Sequence, residues 1–294
     1  QVYDPVMTDD YRHRNIGNVG LAHGPLVYAP DRQFGFDPGM HQFDLYLFFF
    51  FCLRRFDTNG PVSEMLMLIG LRREQMFKIF HTQPIKDHFR FSFDYQRYNA
   101  FGFYNRQRSR HNSFALSADF DVPSGWYSGV VDFTFGNIRA DENGGVADSI
   151  FNSTEFSNKN FVDVFLSEAQ TEWRKRHLRY RHQVNIGKRV AYKKNDSTEA
   201  VKVYPVFTVY HQFDFEHNRY QFDDLAYDNP DYYGIFQHEA DTLAAFFKQV
   251  SFSNEAGITF AIPEKFDSAG ATYRNFLLKA GLRHEIVDID QRYT

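Results

Sequence analysis

The sequence predicts an all-β fold: an antiparallel transmembrane β-barrel, of which this chain supplies only part, preceded by an irregular N-terminal arm. Three observations carry that expectation. From residue 61 onward, segment after segment alternates apolar and polar residues with period two, the pattern of strands with one apolar face. Phe and Tyr supply 34 and 18 of the 294 residues while Trp supplies 2; Phe and Tyr favour strands, and aromatic girdles at two interfaces belong to outer-membrane barrels. Several segments approach the ~9–11 residues of a tilted membrane strand, and short connections alternate with long ones.

The composition excludes other classes. The longest apolar run, Leu45 to Leu53, falls far short of the ~18 residues that a spanning helix needs, and the mean hydropathy is −0.51. Lys and Arg total 33 against 37 Asp and Glu, a net charge of −4, without the basic excess of a nucleic-acid binder. The single cysteine, Cys52, permits no internal disulfide, and beside Phe48 to Phe51 it reads as an inert buried thiol.

Residues 1–60 are punctuated by Gly17, Gly20, Gly24, Pro25, Pro30, Gly35, Pro38 and Gly39, too often for a long element, and read as an arm or plug. No signal sequence precedes Gln1, so any secretory signal has been removed or was never present. Residues 61–294 read as barrel strands. Val62 to Ile69 and Gln75 to Thr82 come first, then Phe89, Phe91, Phe93 and Tyr95 alternate with Arg90, Ser92, Asp94 and Gln96. Phe114, Leu116, Ala118 and Phe120 oppose Ser113, Ser117 and Asp119; Val131, Phe133 and Phe135 oppose Asp132 and Thr134. Leu178, Tyr180, His182, Val184 and Ile186 alternate with Arg179, Arg181, Gln183 and Asn185, a face too charged to pack on a second sheet. Alternation continues through Phe207 to Asp214, Val250 to Phe260 and Leu278 to Ile286. Short turns are expected at Gly70 to Arg73, Pro84 to Asp87 and Asp121 to Gly125, and long loops at about residues 99–111 and 137–176, with a short helix over Val162 to Trp173.

The alternation predicts two faces. Phe89, Phe91, Phe93, Tyr95, Phe114, Leu116, Phe120, Phe133 and Phe135 are expected to face lipid. Arg90, Asp94, Asp119, Asp132, Arg179, Arg181, Asp214, Glu255, Lys279 and Arg283 are expected to line an aqueous path. Both signs occur, which predicts weak ionic selectivity or a transverse field, unless the charges pair and plug the interior.

No catalytic chemistry is legible. A Gly-x-Ser-x-Gly elbow and a Gly-rich phosphate loop are both lacking, and His81, His111, His182 and His211 have no paired metal-ligand spacing. Asp141 to Gly145 and Asp148 carry ligand-type oxygens without calcium-loop spacing, and read as a Gly-bearing turn. The expectation is therefore no enzyme, no metal and no cofactor. Arg106, Arg108 and Arg110 read as surface or pore-mouth charge able to meet anionic headgroups, not as a nucleic-acid site.

Arg73-Glu74-Gln75, Phe80-His81-Thr82-Gln83, Phe93-Asp94-Tyr95, Gly102-Phe103-Tyr104 and Glu142-Asn143-Gly144-Gly145 occur in an order and at separations that resemble the β-barrel porin family of Gram-negative outer membranes. The likeness is strongest from Pro61 to Phe151 and looser through Tyr180 to Asn185, Pro205 to Phe215 and Ala280 to Leu282. It implies an antiparallel barrel, passive diffusion of small hydrophilic solutes, an outer-membrane lipid environment and no catalytic residues. Phe48 to Phe51 departs from the polar, turn-rich segment expected there, and is expected to be buried in lipid or protein. Such porins are longer and end on an aromatic strand, unlike Asp290 to Thr294. Roughly nine strands against an even number in closed bacterial barrels predicts that the rest of the wall comes from other residues or another chain. Two alternatives stand beside this: a barrel subunit of a larger outer-membrane uptake or secretion complex, contacting other outer-membrane proteins, and a soluble carbohydrate-binding β-sandwich.

Overall fold

The computed structural model describes residues 5, 13–15, 18–28, 35–49, 53–56, 58–86, 88–146, 162–195, 198–226, 230–234, 242–261 and 276–293. A small ribbon comes first, β1 (His13–Asn15) antiparallel to β2 (His23–Pro25), followed by a 3-10 turn at Asp44–Tyr46. The strands β3 (Val62–Ile69), β4 (Gln75–Ile85), β5 (Phe89–Ala100), β6 (Ser109–Asp121) and β7 (Tyr127–Glu142) then follow in order. They continue into β8 (Ala169–Asn195), β9 (Thr198–Asp224), β10 (Leu243–Ala261) and β11 (Leu277–Tyr293). All nine form one antiparallel meander in which each strand pairs with its neighbours in sequence. Among the described residues β3 and β11 do not pair, so the sheet is open.

Register explains the alternation. Directly paired residues share a face, and one row reads Phe93, Leu116, Phe133, Leu178, Phe215, Phe252, Ile286 across seven strands. The next row is polar: Ser92, Ser117, Asp132, Arg179, Asp214, Ser253, Glu285. The polar face is the one that the N-terminal segment covers. Leu21, Phe43, Tyr46 and Leu47 form a buried cluster with Met76, Tyr98, Ile138, Ala140 and Trp173 from β4, β5, β7 and β8. The Leu, Phe, Met and Ile side chains among them each contribute roughly 1.5–3 kcal/mol when fully buried. Small residues make the close approach possible: a Cβ at Gly136 would overlap Leu47 Cδ2.

Several expectations need correction. The first long loop is shorter than predicted, since β5 runs to Ala100 and β6 starts at Ser109. Strands also take both ends of the second predicted loop, because β7 extends to Glu142 and β8 begins at Ala169. No helix forms over Val162 to Trp173; the segment is irregular up to Ala169, from which point it is drawn into the ladder, Trp173 pairing with Ile138 and Tyr220. Pro84 lies inside β4 rather than in a turn, opposite Arg90. At 27 residues each, β8 and β9 far exceed the expected length, and a register shift after Ile186 needs Gly187, where any Cβ would strike the Tyr204 carbonyl. The sandwich alternative fails, because β3 to β11 form a single meander and the other sheet among the described residues is the three-residue ribbon of β1 and β2, too small to be the second layer of a sandwich. Phe48 and Phe49 are half-buried, whereas Phe50, Phe51, Cys52 and Asp148 lie outside the described residues.

Candidate channel face

Strand pairing places all ten predicted path-lining residues on the polar face and all nine predicted lipid-facing residues on the other. Arg90, Asp119, Arg181, Glu255 and Arg283 fall in one register row, linked through Val130 and Gln212. Asp132, Arg179 and Asp214 occupy the adjoining row. Asp94 lies two residues beyond Ser92 on β5, and Lys279 pairs with Thr259.

The charges on this face pair with one another. Arg90 reaches Asp119 at 2.7 Å and Arg179 reaches Asp214 at 2.6 Å. Arg283 lies 3.2 Å from Glu285. Around Tyr210 three candidates converge: its hydroxyl donates to Glu255 at 2.8 Å, and Lys279 Nζ and the Arg181 guanidinium stand 4.8 Å and 5.1 Å from its ring centre. Tyr210 in turn covers the paired Gly257 and Gly281, where a Cβ at Gly257 would come within 2.6 Å of the phenol oxygen. An aromatic ring laid over paired glycines restores the packing that those residues lack.

The N-terminal segment is bonded to the same face. The Tyr46 carbonyl accepts from Gln96 Nε2 and Ser113 Oγ, each at 2.9 Å, and Ser109 Oγ donates to the Val19 carbonyl at 2.6 Å. His111 Nε2 meets the Gly20 carbonyl. Arg54 bonds Asp94 at 3.3 Å and Glu64 at 2.5 Å, and Arg55 bonds Asp132 at 2.6 Å. Within the segment, the two nitrogens of His41 lie 2.8 Å from Asp44 and 2.9 Å from Asp37. Both nitrogens donate only in the imidazolium form. Burial disfavours that charge, but the two carboxylates outweigh it and raise the His41 pKa above 6.5. Burial raises the Asp44 carboxyl, against the opposing pull of His41.

A family model described as "Putative porin" matches residues 1–293. The chain belongs to that porin family. No curated protein and no solved structure matches it.

In this porin, several residues of the polar face escaped the sequence reading. Lys175 and His177 continue the polar-face period of Trp173, Arg179 and Arg181, but the sequence predicts a loop as far as residue 176 and an alternating strand only from Leu178. Arg54 and Arg55 carry no local signal, because their partners are set by how the arm lies on the sheet. Arg108, predicted as surface charge, stacks its guanidinium 4.4 Å from the Phe101 ring centre. The Asn143 to Gly145 stretch is a glycine turn, with Gly144 and Gly145 at φ 67° and 99° and Asn143 Oδ1 accepting from the Gly145 amide at 3.0 Å.

Proposed function

We propose that this chain forms the wall of an outer-membrane channel in a Gram-negative cell, passing small hydrophilic solutes by passive diffusion. Residues 61–294 are the wall and residues 1–60 the plug. The Phe-rich face meets lipid and the charged face lines the aqueous path. The observation that carries this reading is the register: ten charged residues on one face and nine aromatic or aliphatic residues on the other, across an unbroken meander. In lipid every backbone group must be paired, so the free edges of β3 and β11 take further strands, from outside the nine or from another chain.

The paired charges favour weak ionic selectivity. With the arm seated, conductance is low, and opening requires the arm to shift. That covered face also favours a second reading, a plugged barrel serving as a subunit of a larger outer-membrane complex. Osmotic swelling of proteoliposomes separates them. A channel gives swelling in arabinose or glycine that is faster for Arg55→Ala than for the parent chain. A permanently closed subunit gives none with either protein, although both are inserted.

A further inference from the structure

A polar cavity of about 210 Å³ lies between the N-terminal segment and strands β8 to β11. Its floor is β10, where Gln249, Ser251 and Ser253 project from alternate positions and are all buried. The arm closes it from above through Gly35, whose φ is +124° and where a Cβ would lie 2.6 Å from a Glu285 oxygen.

Each charged group around the cavity has a partner. Arg179 holds Asp214 at 2.6 Å, Lys175 holds Glu216 at 3.2 Å and Arg283 holds Glu285 at 3.2 Å, while His41 is shared between Asp37 at 2.9 Å and Asp44 at 2.8 Å. The groups left over are neutral. Gln249 Oε1 and Ser253 Oγ, on residues each 4% exposed, have no hydrogen-bond partner among the described residues. A buried acceptor and a buried hydroxyl without partners destabilise the site until something bonds them.

We infer that this cavity binds a small neutral polyhydroxylated solute, of monosaccharide size. One solute hydroxyl donates to Gln249 Oε1 and another exchanges a hydrogen bond with Ser253 Oγ. An anion gains little here, because taking Lys175, Arg179 or Arg283 as its partner breaks a pair already made. An apolar ligand leaves both neutral groups unbonded. The volume far exceeds the ~30 Å³ share of a single water and falls below the ~300–1,000 Å³ of drug-sized sites. Phe49 and Trp173 contribute ring surface to the wall, suited to the C–H faces of a sugar ring. The inference rests on the channel reading for its meaning, since it names the class of solute that meets the covered face.

The test is a titration of the full chain in detergent, with Trp126→Phe so that Trp173 is the remaining indole. D-glucose is expected to change Trp173 emission saturably, and sodium gluconate to bind about tenfold more weakly. Ser253→Ala, which removes one oxygen, and Gln249→Leu are each expected to weaken glucose binding by about tenfold with the β-sheet circular dichroism unchanged. The proposal is overturned by no saturable response to glucose, by tighter binding of gluconate, or by undiminished glucose affinity in Ser253→Ala. Because binding is read without a membrane, conductance without glucose binding overturns this inference alone. Glucose binding by a chain that never conducts overturns the channel reading alone.

Discussion

Arg55 Nη2 lies 2.6 Å from both carboxylate oxygens of Asp132, joining the N-terminal segment to the middle of β7. Ser117 completes the knot: its hydroxyl donates to Asp132 Oδ1 at 2.6 Å and accepts from Arg55 Nε at 3.1 Å. Asp132 is only 2% exposed, and its strand neighbour Arg179 is engaged with Asp214. The arm therefore supplies a counter-charge to a buried carboxylate of the sheet.

Removing that contact should loosen the arm first. Charge-assisted hydrogen bonds contribute about 1.5–3 kcal/mol, and the partial exposure of Arg55 brings the expectation for Arg55→Ala to roughly 1–2 kcal/mol. Limited proteolysis should cut residues 35–56 faster in the variant while the strands stay protected. Equal cutting rates would show that Arg55 does not fasten the segment.

Gly136 tests the seating by shape instead of charge. With no side chain there, Leu47 packs against β7, and any Cβ would overlap its Cδ2. Gly136→Val should force Leu47 out at a cost of about 1–3 kcal/mol, typical of overpacking. A lowered unfolding midpoint together with faster arm cleavage is expected. An unchanged midpoint would mean that Leu47 is not held at this position.

Arm seating should weaken as pH rises. His41, between Asp37 and Asp44, binds its proton more tightly when the segment is docked than when it is free. Its contribution is therefore full below 6.5 and is lost as pH climbs through the raised value. The raised Asp44 carboxyl acts in the same direction at lower pH, from 3.8 upward. Cleavage of the arm should be faster at about pH 8.5 than at about pH 5.5, and His41→Ala should flatten the part of that dependence near neutrality. Faster cleavage at the acid end would contradict the direction.

The aromatic face has its own test. Phe133 lies mid-row between Leu116 and Leu178. If that row meets lipid, Phe133→Arg should reduce insertion into liposomes by about 2–4 kcal/mol, the cost of an arginine near the midplane. Insertion equal to the parent chain would place this face elsewhere than in hydrocarbon.

Much of the sheet was legible because its signal is local. Phe89 to Gln96 or Phe114 to Phe120 announces both strand and face through period two alone, and each predicted strand has a counterpart in the meander. Strand ends were less visible. Lys175, His177 and Trp173 obey the alternation, but their mixed polarity resembles a loop until the pairing with β7 is known. The arm was the least legible part. Its irregular backbone is set by Tyr46, Leu47 and Arg55 finding partners far away in the chain, contacts that no periodicity encodes. The same holds for the cavity over β10, whose Gln249 and Ser253 look like ordinary polar positions of a strand.

The most direct measurement is the reversal potential of single channels in a planar bilayer under a salt gradient, made in the Arg55→Ala background. If the face that Arg181 and Glu255 share lines the aqueous path, Arg181→Glu should move the potential toward cation preference and Glu255→Lys toward anion preference. Identical potentials in all three folded, inserted proteins would contradict the assignment of the charged face to the lumen.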